Sequence, residues 1–70
     1  MSNQGEERVS NLSDYELPFG RTINLKKVEY ETGLKMLRLT IKEGRRFTVI
    51  EIDQQSAESL GNDFLNWSKK

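Results

Sequence analysis

Between Leu34 and Asp53 the chain reads LKMLRLTIKEGRRFTVIEID, two alternating runs around a Glu43-Gly44-Arg45-Arg46 turn. Alternation with a period of two marks a β-strand, because successive side chains leave opposite faces of the pleat. In the run from Leu34 to Lys42, residues Leu37, Leu39 and Ile41 face one way, and Met36, Arg38, Thr40 and Lys42 the other. A two-residue Gly44-Arg45 loop sets Glu43 opposite Arg46 and Ile41 opposite Thr48. The same register sets Leu39 opposite Ile50 and Leu37 opposite Ile52. Glycine at the first central position is what a type II′ turn requires, since φ is positive there. Turn chemistry and hydrophobic pattern agree on one register. The hairpin is therefore antiparallel, with one aliphatic face that must be covered and a second, basic and partly apolar face left over.

The flanking segments extend this unit at both ends. Upstream, Thr22–Glu31 (TINLKKVEYE) reads as a strand, but its apolar residues change parity: Ile23 and Leu25 are odd, Val28 and Tyr30 even. A β-bulge at Lys26-Lys27 would bring all four onto one face, with Val28 opposite Leu37, Leu25 opposite Leu39 and Ile23 opposite Ile41. Thr32-Gly33 supplies the connection. Downstream, Asp53 suits an N-cap. Ala57, Leu60, Gly61, Phe64 and Trp67 then recur at helical spacing, predicting a helix whose apolar side covers the sheet, with a kink or break near Gly61-Asn62. Lys69 and Lys70 suit its C-terminal end.

Residues 1–16 hold only Val9 and Leu12 as aliphatic side chains after Met1. Such a segment buries too little to offset its ordering entropy, so it is expected as a flexible, acidic N-terminal tail. Tyr15, Leu17 and Phe19 around Pro18 read as an extended lead-in, and Gly20 as the turn into the sheet. The expected architecture is α+β: a three-stranded antiparallel β-sheet (meander) followed by one C-terminal amphipathic helix packed on one sheet face, all within residues 17–70.

Seventy residues allow at most one domain, and a core this small supplies only about 3–5 kcal/mol, which makes oligomerisation such as a homodimer an expectation. The absence of cysteine removes disulfides and thiolate metal sites. The absence of histidine removes the commonest general base and metal ligand. The N-terminus lacks a secretory signal pattern and no apolar run approaches the ~20 residues of a membrane span. A cytoplasmic protein with no membrane association is expected.

The net charge of zero hides an asymmetry. Residues 1–20 carry four acids against Arg8, residues 21–46 eight cations against three acids, and residues 47–70 four acids against two lysines. The leftover hairpin face falls in the basic middle, with Arg38 opposite Glu51 as a cross-strand ion pair. Lys35, Arg38, Lys42, Arg45 and Arg46 would contact phosphates, and Phe47 would stack on an unpaired base, giving a single-stranded nucleic-acid interface. The same face also reads as a protein or homodimer interface, in which Met36, Phe47 and Val49 bury against a partner and Trp67 closes the seam.

Strands joined by the basic Gly44-Arg45-Arg46 turn, followed by a strand running directly into a C-terminal amphipathic helix, resemble the small single-stranded-DNA-binding transcriptional coactivators of the positive-cofactor type. The likeness covers about Arg21–Trp67. It implies dimerisation through the helix and nucleic-acid binding along basic strands. That group has four strands where three are read here, and the chain equally resembles short bacterial proteins of unknown function.

Catalysis is not expected. The carboxylate pairs Glu51/Asp53 and Glu29/Glu31 have the i,i+2 spacing of an ordinary solvated strand face, with no base beside a raised-pKa acid. Ser56 and Ser59 fall where helix capping accounts for them. Asp53, Glu51 and Asp63 match no calcium-loop spacing, and Gly33 and Gly44 are isolated turn residues rather than a phosphate loop. No metal and no cofactor is expected.

Overall fold

A computed structural model describes residues 7–70. Four strands, β1 (Arg8–Leu17), β2 (Arg21–Glu29), β3 (Lys35–Glu43) and β4 (Arg46–Ile52), are followed by one helix, α1 (Gln54–Ser68). The strands form one antiparallel sheet in the order β1-β2-β3-β4, each paired with its neighbour in the chain.

The β3–β4 hairpin has the register expected from its pattern. Leu37 pairs with Ile52, Leu39 with Ile50, Ile41 with Thr48 and Glu43 with Arg46. Gly44 has φ 61°, and Arg45 has no positive φ, as a type II′ turn demands. Leu37, Leu39 and Ile41 thus define an inward face, shared by Ile50 and Ile52.

The sheet has four strands rather than three. The additional one comes from a segment expected as part of the flexible tail, while residues 1–6 of that segment lie outside the described residues. What holds β1 in place is polar as much as apolar. Asn24 Nδ2 donates to Asn11 Oδ1 (2.7 Å) and Asp14 Oδ1 (2.6 Å) across the β1–β2 ladder, and Lys26 Nζ donates to Asn24 Oδ1 (2.7 Å). This ladder of amides and charges leaves no alternating apolar pattern to read.

The bulge also lies elsewhere. The β2–β3 ladder runs without interruption through Lys26-Lys27, so that Lys27 pairs with Leu37 and Val28 with Met36, while Ile23↔Ile41 and Leu25↔Leu39 hold as expected. The irregularity is in β1, between Asn11 and Ser13, where Leu12 is the extra residue. It reverses the parity of β1, placing Arg8, Ser10, Leu12, Ser13, Tyr15 and Leu17 on the inward side. Val28 consequently lies on the outward face, between Val9 of β1 and Met36 of β3, and is 1% exposed. Lys27 takes the inward place.

Asp53 has the extended backbone of an N-cap (φ −82°, ψ 174°). Its carboxyl is held below the usual aspartate range, first by the Ser56 hydroxyl and then by nearby backbone amides. No side-chain cap hydrogen bond reaches good geometry, so this is proximity to the helix N-terminus rather than a formed cap. The helix runs unbroken from Gln54 to Ser68, through Gly61, contrary to the expected break. A Cβ at Gly61 would meet no atom within 4 Å. Gly61→Ala is therefore expected to stabilise the fold by about 1 kcal/mol, read as a rise in thermal midpoint.

α1 does not cover the sheet as expected. Gln54 and Ala57 border the same groove as Leu37 and Ile52, which places the start of the helix on the inward face. Of the strands, it lies chiefly against β3. Ser56, Ala57 and Gly61 are half-buried, while Leu60, Phe64, Leu65 and Trp67 are exposed. Ile50 on the sheet is exposed as well. The apolar residues of helix and sheet are present at the expected positions, but beyond Ala57 the large ones of the helix, Leu60, Phe64 and Trp67, stay exposed.

Candidate functional site

The β1–β2 and β3–β4 turns emerge at the same end of the sheet. Leu17, Arg21, Glu43 and Arg46 form one cross-strand row there, about 14 Å wide at the usual strand spacing. The β1–β2 turn is a single 3-10 turn, Pro18–Gly20. Its tightness forces Phe19 into the left-handed region (φ 68°, ψ 31°), a strained conformation for a bulky side chain that costs about 1–2 kcal/mol. The Phe19 ring is 91% exposed, and the Arg21 guanidinium lies 6.0 Å from its centroid. Arg21 Nε also pairs with Glu43 Oε2 at 3.1 Å. On the neighbouring hairpin, Phe47 is 63% exposed with Lys42 Nζ 5.7 Å from its ring centre. Arg45 and Arg46 are exposed and form no ion pair with any other described residue.

Two aromatic rings, each with a cation over it, and two further arginines therefore share one end of the sheet. Such a constellation offers flat surfaces for stacking and donors for phosphate oxygens. Phe19 and Arg21 were absent from the residues expected to form the site. Nothing local links them to Phe47; only the four-strand topology brings the two turns together. The legible signal was Pro18-Phe19-Gly20 itself, a turn tripeptide with an aromatic at its tip.

The other expected contacts are distributed differently. Lys35 lies at the opposite end of the sheet, paired with Glu29, and borders a groove of about 410 Å³ with Lys27, Leu37, Ile52 and Ala57. Arg38 stands on the outward face, fully engaged. Its Nε donates to Glu51 Oε2 (2.9 Å), and its Nη2 pairs with Glu51 Oε2 (2.8 Å) and Glu7 Oε1 (3.1 Å). The Tyr30 hydroxyl donates to Glu51 Oε1 at 2.6 Å. Glu51 is held below the usual carboxylate range, first by the Tyr30 hydroxyl and then by Arg38. Tyr30 is pushed up, chiefly because its proton is shared with that carboxylate, and Arg38 is pushed up by the same partner. Among the expected interface residues, Phe47 and Val49 are exposed on the outward face and Met36 is half-buried beside Val28. Trp67 belongs to α1, on the other side of the sheet.

Among the described residues no group of three or more acidic, histidine or cysteine side chains is placed to hold a metal ion, and no helix is long and apolar enough to cross a membrane.

Sheet, helix and surface define a small α+β protein with an antiparallel meander and a C-terminal helix. The chain belongs to the DUF6967 family, a family of unknown function, whose model matches residues 6–70. That membership lends no support to the positive-cofactor likeness and agrees with a short protein of unknown function. No curated protein and no solved structure matches the chain.

Proposed function

We propose that this protein is a small, non-enzymatic binding module that takes single-stranded nucleic acid at the end of its sheet formed by the two hairpin turns. The observation that carries this reading is the pairing of Phe19 with Arg21 and of Phe47 with Lys42, beside Arg45 and Arg46, which form no ion pair among the described residues. Two exposed rings give two stacking positions for successive bases, each worth about 1–3 kcal/mol by truncation. The arginines of the turn neutralise backbone phosphates without reading sequence. Zero net charge does not oppose this, because the field that matters is that of Arg21, Lys42, Arg45 and Arg46 at one end of the sheet, with Glu16 and Glu43 beside them among the described residues.

Titrating a fluorescein-labelled single-stranded oligonucleotide at two salt concentrations tests the reading. Arg45→Ala/Arg46→Ala is expected to weaken binding and to flatten the logarithmic salt slope by about 1.4, from two lost single-strand phosphate contacts. Phe19→Ala should weaken binding at least fivefold while leaving the salt slope unchanged. Equal affinity and equal slope in wild type and the double arginine variant would refute the site.

A second reading, an accessory protein that works by associating with another protein chain, is favoured by a separate observation: Ile50 on the inward side of the sheet and Leu60, Phe64 and Trp67 on α1 are left exposed.

A further inference from the structure

Among the described residues of the single chain, only one apolar side chain, Val28, is buried, and it lies on the outward face. The inward face, which carries most of the aliphatic residues, has none buried. Ile23, Leu25, Leu37, Leu39, Ile41 and Ile52 are only partly buried, and Ile50 is 46% exposed. The helix that should cover them leaves its own apolar side chains in solvent, with Phe64 67% and Trp67 77% exposed. A sheet face only partly covered and a helix whose distal apolar side chains lie in solvent are halves of one packing interaction.

On these two faces Ile50 of the sheet and Leu60, Phe64 and Trp67 of the helix are exposed, and a standard stable interface takes about 800 Å² of such surface from each partner. With no disulfide or metal to compensate, a chain this small needs that burial.

We infer that the occupant of this surface is a second copy of the chain, apposed about a two-fold axis so that the distal half of each α1 lies on the inward sheet face of the other. The chain carries both the bare helix and the bare sheet, so one two-fold operation satisfies both deficits at once. A closed, self-complementary interface follows. Zero net charge sets no long-range repulsion against the encounter. Phe64 and Trp67 act as the anchors and Ile50 with Ile41 and Leu39 as their receiving surface, leaving the two turn-bearing ends free. The ladder of amides and charges on the outward face takes no part.

Trp67 is the single tryptophan, so its emission reports the interface directly. Light scattering on the full chain should give about 16 kDa, twice the 8.2 kDa of one copy. Dilution should shift Trp67 emission to the red and open it to iodide quenching in step with dissociation. Phe64→Ser, an exposed position that does not disturb the isolated fold, should weaken the dimer about thirtyfold or more, and Ile50→Asp should do the same from the sheet side. Circular dichroism establishes that each variant is folded, and if Ile50→Asp is not, Phe64→Ser decides alone. A mass of 8.2 kDa at ~100 µM with freely quenched Trp67 would overturn the inference. So would a dimer whose stability is unchanged by Phe64→Ser, since its interface would then lie elsewhere.

Discussion

Val28→Ala is expected to destabilise the fold by about 2 kcal/mol and to lower the thermal midpoint by about 8–16 °C. Val28 is the one apolar side chain among the described residues taken fully out of water, at 1% exposure, and it joins three strands through Val9 and Met36 on either side. Truncation removes two methyl groups from a position that neighbouring strands cannot close, because both ladders continue past it in register. The loss is about half of what a core this size supplies. Thermal unfolding followed at 222 nm, at fixed protein concentration, measures it. A shift under 3 °C would show that the outward face contributes little, and that cohesion comes from the inward side alone.

Stability should fall at both extremes of pH through one cluster. Glu51 accepts from Tyr30 and Arg38 together, at 2.6 and 2.9 Å. Its pKa is lowered in the folded chain, so its contribution is present above the ordinary carboxylate value and is lost as pH drops through the lowered one. Tyr30 is shifted the opposite way. Its raised value means that stability is complete below the ordinary tyrosine pKa and is lost as pH rises through the raised value, when a phenolate would face a carboxylate. Glu51→Gln is expected to cost about 1 kcal/mol at neutral pH, after discounting for its partial exposure, and to flatten the acid limb. Asp53, also lowered, leaves a residual acid dependence in that variant. Tyr30→Phe should abolish the alkaline limb and, because the lost hydroxyl is the chief group lowering Glu51, weaken the acid limb as well. Urea midpoints between pH 2 and 11 test both, and an unchanged acid limb in Glu51→Gln would assign acid unfolding to other carboxylates.

How far the chain could be read in advance depended on whether a local rule spoke without competition. The hairpin was legible to the residue because Gly44-Arg45 and the Leu37, Leu39, Ile41 ladder specify the same register independently. The Arg38–Glu51 pair followed from that register. β1 was not legible, because Leu12 at its bulge breaks the alternation, and Asn24 of β2 holds it by hydrogen bonds to Asn11 and Asp14. The change of parity in the TINLKKVEYE segment marks a change of face and not a bulge. An uninterrupted β2 places Val28 and Tyr30 outward, where Tyr30 serves the Glu51 cluster rather than the aliphatic face. The helical spacing of Ala57, Leu60, Phe64 and Trp67 marked an apolar side, yet spacing alone does not say which sheet that side meets. Phe19 became a candidate only through topology, since its distance from Phe47 in the chain conceals that their turns share an end.

The order β1-β2-β3-β4 has a further consequence, for how the chain misassembles. A linear meander ends in two strands with one unpaired row of amides and carbonyls each. The β1 edge is interrupted by the bulge at Leu12 and bears Asp14 and Glu16, which discourage a fifth strand. The β4 edge has neither device: Phe47-Thr48-Val49-Ile50-Glu51-Ile52 is six residues of high β-propensity without proline, carrying a single charge. Under mild denaturation, growth of fibrils should begin by strand addition at β4, and Thr48→Lys is the gatekeeper substitution that would slow it.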